Sequence, residues 1–340
     1  MNDTITVRAL SVEVAKDAAM LRAFLAHHAL GYETDIDAAF GVFDENNTLR
    51  GCGCAAKGLL KCFAVEEALR GQNALGALIS QLVQDRFSRG YYDLRVITRA
   101  HNEPLFSACG FYPVVRTDAL VLLENRPGGP RRFALPLLKR GDEHRTVGAV
   151  VMNANPFTLG HRALVEYAAA HCDALHLFVV EEDRSLFPTE VRLRLVREGT
   201  ADLANVRVHP SGPYMISSAT FPTYFLKDGE SAAALQSELD VTLFAEAIAP
   251  VLHITRRFAG QEPLDPTTAC YNNAMRGILP RHGIEFTEIP RFAPDGAPVS
   301  ASRVRALLKE RGVCGEVLRL VPEPTQRYLK EMYKAAEHEH

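Results

Sequence analysis

Nowhere in the 340 residues do about 18 apolar side chains run together, so no membrane-spanning helix is expected. Charge of neither sign dominates: 38 Lys and Arg against 41 Asp and Glu leave a formal net charge of −3. That balance excludes general attraction to nucleic acid or to an anionic membrane, although it leaves room for a local basic pocket. Paired cysteine motifs are also missing. The seven cysteines (52, 54, 62, 109, 172, 270, 314) form an odd, scattered set, as reduced thiols do. Cys52, Cys54 and Cys62 cluster, but a zinc ribbon needs a second Cys-x-x-Cys or a histidine pair. They read as small buried strand residues. The first 20 residues, "MNDTITVRALSVEVAKDAAM", lack an apolar core followed by a small-residue cleavage site, so a cytoplasmic protein is expected.

What is present fits a soluble globular chain: 47% hydrophobic and 23% charged residues, with enough length for two domains. The most linker-like stretch is "ENRPGGPRRFALPLLKRGDEHRT", which joins Pro-Gly-Gly-Pro to a charge-rich run. It suggests a first domain over 1–128, a linker over 129–145 and a second domain over 146–340. In the first, strand-like runs at 49–65 and 91–100 flank a helix-like run at 76–90. They are followed by "NEPLFSACGFYPV". The order strand, Arg-Gly-rich turn, helix, strand resembles the GNAT acyl-CoA acetyltransferase fold. The turn reads Arg70-Gly71-Gln72-Asn73-Ala74-Leu75-Gly76, so two of the three glycines expected from the resemblance are replaced or moved. Those glycines let the backbone approach a pyrophosphate. Two readings stay open for this domain: a structural or docking role, and acetyl transfer.

Beyond the joint, strands and helices alternate: strands at 147–153, 174–180, 205–210, 251–258 and 284–289, with helices between and after them. Such alternation predicts a doubly wound, Rossmann-like parallel sheet whose ligands lie past the carboxyl ends of its strands. The fold class is therefore α/β throughout. At that end of the first strand comes "VVMNANPFTLGHRALVEY", residues 150–167. Pro156 stiffens the turn, and Thr158 stands where an N-cap belongs. Gly160 leaves no side chain against a bulky anion. His161 lies one turn past Thr158 on the same helix face. Free N–H groups and the helix dipole make this an anion cradle, with an imidazole able to carry a proton.

The spacing Asn155-Pro156-x-Thr158-x-x-His161 resembles the signature of the nucleotidylyltransferase superfamily, although Met152 and Ala154 replace a common Gly and Phe. A second superfamily segment has its counterpart in "PVSASRVRALLKE", with Ser300, Ser302 and Arg305 opening another helix. Ser302 is expected to cap that helix, and Arg305 to hold charge on leaving pyrophosphate. Plain capping explains Ser-x-x-Arg alone; two such openings in order are more specific. The stretches "HLFVVEEDRSLFPTEVRLRLVREGT", "MISSATFPTYFLK" and "FAGQEPLDPTTACYN" then follow one another as in the citrate lyase ligase family, which also has a GNAT-like first domain.

That resemblance implies an enzyme that uses ATP, with Mg²⁺ bridging phosphates, to join acetate to the thiol of the citrate lyase acyl carrier subunit. Acetyl adenylate would be the intermediate, and AMP and pyrophosphate the other products. Thr158, His161, Ser302 and Arg305 would be catalytic. Asn155, Pro156, Gly160, Arg192, Gly260, Glu262 and Ser300 would bind ATP. For Gly260 and Glu262 in "GQEP" a simple turn is an equal reading, and for Arg192 an exposed helical position. Residues 216–227 are expected to line the acetate or thiol side, so that changing Thr220 or Phe221 raises the KM of those substrates. Glu181, Glu182 and Asp183 read as a solvated loop. The alternatives are nucleotidyl transfer to a phosphorylated small molecule, and GNAT-type acetyl transfer.

Overall fold

The computed structural model describes residues 5–69, 71–181, 185–217, 220–261, 266–294 and 296–338. The chain divides into two units, one of residues 1–129 with 221–235, the other of 130–220 with 236–340. Among the described residues no helix is long and apolar enough to cross a membrane.

The first unit contains β1 (Thr6–Leu10), α1 (Ala15–His27), β2 (Ala38–Phe43), β3 (Leu49–Ala56), β4 (Leu59–Val65), α2 (Ala74–Ser88), β5 (Arg95–Arg99), α3 (Glu103–Ala108), β6 (Tyr112–Arg116) and β7 (Leu120–Glu124). The run expected as one strand over 49–65 is a hairpin. Lys57 takes a φ of 51° beside Gly58, and the chain reverses there. Cys52, Cys54 and Cys62 are buried on these two strands. The sheet order is β1-β2-β3-β4-β5-β7-β6. Its parallel pair, β4 and β5, is joined only at Leu59–Leu60 and Arg95–Val96. The Arg-Gly-rich turn leads into α2 as expected, but the Asn73 side chain lies directly against Gly76 in its first turn. Arg70 falls outside the described residues.

Beyond the short β4–β5 ladder, the unit's own segment Phe221–Leu235 fits against these strands. The buried Tyr224 phenol bonds to the Thr98 side chain and the Cys62 backbone. Gly31 N–H donates to Tyr224 O at 2.7 Å, and Arg99 Nη2 donates to Phe225 O at 2.9 Å. Phe221 and Phe225 are buried as well.

The second unit holds α4 (Gly129–Ala134), β8 (Val147–Met152), α5 (Leu159–Ala170), β9 (Ala174–Val179), α6 (Thr189–Gly199), β10 (Val206–Pro210), α7 (Ala232–Leu243, its residues up to Leu235 belonging to the first unit), β11 (Ile254–Gly260), α8 (Pro266–Ile278), β12 (Glu285–Ile289), α9 (Ala301–Arg311), α10 (Gly315–Arg319) and α11 (Glu323–His338). Its sheet is wholly parallel in the order β10-β9-β8-β11-β12. Connections run outward in both directions from β8 and β11, so the crevice opens between their carboxyl ends. Residues 129–145 are not an extended linker. They form α4 and two short 3₁₀ turns, and Asp142 is buried against Arg207 at 2.6 and 2.9 Å. The Arg207 guanidinium holds the Asp142 carboxyl below the usual range.

Under the crevice, Val150, Met152, Ala154, Phe157, Val165, Leu177 and Val196 form one apolar cluster. Gly199 allows α6 to close on Phe157, whose ring a Cβ there would meet at 2.6 Å. The loop after β8 is thus seated on a packed base.

Candidate functional site

Thr158 ends the β8 loop and caps α5 in a reciprocal capping box. Its Oγ1 accepts from the His161 N–H at 3.3 Å, while its own N–H donates to His161 Nδ1 at 3.1 Å. An Nδ1 that accepts a backbone N–H has no proton, so the neutral ring carries its proton on Nε2. The imidazole also stacks on Phe157, 5.9 Å between centroids and 10° between planes. Desolvation, then the charges of Arg291 and Arg305, push its pKa down to about 4. Near neutral pH His161 is an uncharged N–H donor. Of the two states the sequence left open, a proton-bearing neutral ring and a cation, the surroundings favour the neutral ring.

The second helix opening meets the first. Ser300, not Ser302, is the N-cap of α9, accepting from Arg303 N–H at 3.1 Å. Ser302 sits exposed in the first turn and accepts from Arg305 Nη2 at 3.1 Å. Arg305 Nη1 donates to Asn155 O at 2.6 Å, so α9 is tied directly to the β8 loop. Gly160 makes that approach possible: a Cβ there would stand 2.4 Å from Val299 O. Its missing side chain serves the meeting of two helix openings. Leu159 N–H donates to Leu320 O, and Thr325 Oγ1 to Phe157 O, each at 3.0 Å, which anchors the loop from below.

These groups line a cavity of about 770 Å³. Its wall includes Asn153, Asn155, Thr158, Gly160, His161, Gly260, Ser300, Ser302 and Arg305, and also Gln261, Arg291 and Phe292. Among the described wall residues the only charged side chains are Arg291 and Arg305, and none is a carboxylate. Arg291 was missed by sequence reasoning; its signal was a cation two residues past the end of a parallel strand. Pro156 is buried behind the wall. Gly260 closes β11 with open space where a Cβ would be. Glu262 falls outside the described residues, as do Glu182 and Asp183.

Arg192 is neither a phosphate ligand here nor exposed. It is fully buried, donating to Phe187 O (3.0 Å), Val180 O (2.7 Å), Asn153 O (2.7 Å) and Thr189 Oγ1 (2.8 Å). It braces the ends of β8 and β9 from inside. Residues 216–227 divide between the two units. Phe221 onward belongs to the first unit, and none of the segment's described residues lines the cavity. Among the described residues, no three His, Cys, Asp or Glu side chains are grouped to hold a metal ion.

The family described as the citrate lyase ligase C-terminal domain matches residues 147–329. Over 322 residues the chain is 42% identical to citrate (pro-3S)-lyase ligase of Klebsiella pneumoniae, spanning 93% of each protein. It is 38% identical over 323 residues to the enzyme of the same name from Escherichia coli K12, spanning 93% of this chain and 91% of that one. A solved acetyltransferase of the GNAT family from Staphylococcus aureus Mu50 aligns in full with 36% of this chain, at 10% identity and a TM-score of 0.32.

Proposed function

The chain belongs to the citrate lyase ligase family, and from that premise we propose that it couples ATP cleavage to acetylation of the citrate lyase acyl carrier. It is a ligase, and its relatives favour neither nucleotidyl transfer to a phosphorylated acceptor nor N-acetyl transfer. The observation that carries the reading is the meeting of two capped helix openings on a cavity whose described charges are all positive. Such a site suits a polyphosphate, because unpaired N–H groups, helix dipoles and guanidinium groups all favour anions.

In the first step an acetate oxygen attacks the α-phosphorus, the bond to the bridging oxygen breaks, and pyrophosphate leaves with the electron pair. His161 donates its Nε2–H to a phosphate oxygen, and Arg305 stabilises the charge that develops on the leaving group. Thr158 holds the imidazole in that tautomer. In the second step the carrier thiolate attacks the acyl carbon, the acyl C–O bond breaks, and AMP leaves. Neither step needs a covalent bond to the enzyme; positioning and charge supply the catalysis. Mg²⁺ suits this site as a partner of the phosphates, since the described wall offers it only neutral oxygens, those of Thr158, Ser300 and Ser302 among them. When bound it would neutralise part of the polyphosphate charge.

The first half-reaction is tested by exchange of labelled pyrophosphate into ATP without carrier. Exchange that requires acetate supports acetyl adenylate formation. Exchange that ignores acetate, or that needs a phosphorylated acceptor instead, contradicts it.

A further inference from the structure

One charged residue of the cavity wall stands outside both sequence motifs. Arg291 enters from the exit of β12, whereas Arg305 enters from one turn inside α9. Its Nε–H donates to Gln261 O at 2.9 Å, and Gln261 N–H donates to Ile289 O at 2.8 Å. These two bonds fasten the exits of β11 and β12 together and fix the guanidinium at its root. The group is half-buried, and desolvation holds its pKa below the ordinary guanidinium range. A cation kept partly out of water strengthens any anion contact it makes.

We propose that Arg291 binds the pyrophosphate half of ATP, so that the leaving group is held between Arg291 and Arg305. This rests on the ligase reading and adds a residue to it. The choice of phosphate follows from where charge must go. Both guanidinium groups line the cavity that His161 lines, and the charge of each lowers the pKa of that imidazole. In an in-line displacement the attacking carboxylate and the leaving oxygen lie on opposite sides of the α-phosphorus. Negative charge accumulates on the leaving group as the bond breaks, and the two cations of the described wall, Arg291 and Arg305, are the groups that can take it up. A carboxylate-binding role would place Arg291 across the phosphorus from Arg305.

Equilibrium binding of ATP, pyrophosphate and AMP to the full-length protein tests this, using Arg291→Ala and Arg291→Lys. In Arg291→Ala, ATP and pyrophosphate affinity should fall about 10- to 100-fold, the usual effect of losing a charged hydrogen-bond partner, with AMP affinity unchanged. Arg291→Lys should recover much of the loss, which a purely structural role would not predict. An equal loss for AMP and ATP, or an effect confined to the KM of acetate, would overturn the assignment. Because binding is read without turnover, absence of acetate-dependent exchange in the wild type would count against the ligase reading and leave this measurement standing.

Discussion

At the scale of single residues, the proposed chemistry turns on a histidine that stays uncharged near neutral pH in the free protein. Thr158 and His161 were legible in the sequence because a capping threonine and a histidine three residues later have few structural reasons to occur together after a strand. The protonation state was not legible, since it is set by desolvation and by Arg291 and Arg305, remote in sequence. With a folded pKa of about 4, below the ordinary 6.5, the imidazole remains neutral across the working range. Hence kcat/KM for ATP should show no inflection near pH 6.5; one that vanishes in His161→Ala would contradict the N–H donor role. His161→Ala itself should lower kcat by about 10²- to 10³-fold, as loss of a transition-state donor does. Between about pH 4 and 6.5 the unfolded chain binds this proton more readily than the folded one. Stability from this group is therefore full above 6.5 and lost as pH falls toward 4. Buried His176 and half-buried His209, 3.0 Å apart, have pKa values pushed down to about 3 and 4 and act in the same direction. Buried Asp240, raised to about 7 by desolvation, opposes them, since its contribution weakens as pH rises.

Among secondary-structure elements, the decisive contact is between the openings of α5 and α9. The alternation of the second unit showed these helices, because buried parallel strands are near-continuous apolar runs separated by amphipathic segments. Which serine caps α9 was not legible: Ser300 and Ser302 are both chemically competent, and only backbone geometry selects Ser300. Arg192 was misread for a related reason, as a cation on an amphipathic helix normally faces water, whereas here it meets the carbonyls of the strand exits. Gly160→Ala should force Val299 O away from α5 and break the shared wall. We expect a destabilisation of about 1–3 kcal/mol. The KM for ATP should rise together with it, measured by denaturant unfolding and steady-state kinetics. An alanine variant with wild-type ATP kinetics would show that the two openings need not meet.

For the whole molecule, two units were legible from the Pro-Gly-rich joint, but their boundaries were not. The chain returns to the first unit at Phe221–Leu235, which no local signal announces; an aromatic stretch looks alike whether it lines a pocket or fills a sheet. Tyr224, bonded to Thr98 and Cys62, makes that segment part of the first unit's core. Tyr224→Ala should cost about 3–5 kcal/mol, as removal of a buried ring does, and Tyr224→Phe about 1 kcal/mol. Acetate and ATP constants measured on the folded protein should stay unchanged in both variants. A selective rise in the KM of acetate with unaltered stability would return the segment to the acyl site.

Acetyl adenylate formation followed by thioester ligation is tested by incubating the protein with ATP, labelled acetate and deacetylated citrate lyase. The thioester formed on the carrier and the AMP released should then be counted together. Equal amounts of acetyl thioester, AMP and pyrophosphate are expected, with all three lost in His161→Ala. Formation of ADP and phosphate, or AMP release without carrier acetylation, would contradict this two-step reaction.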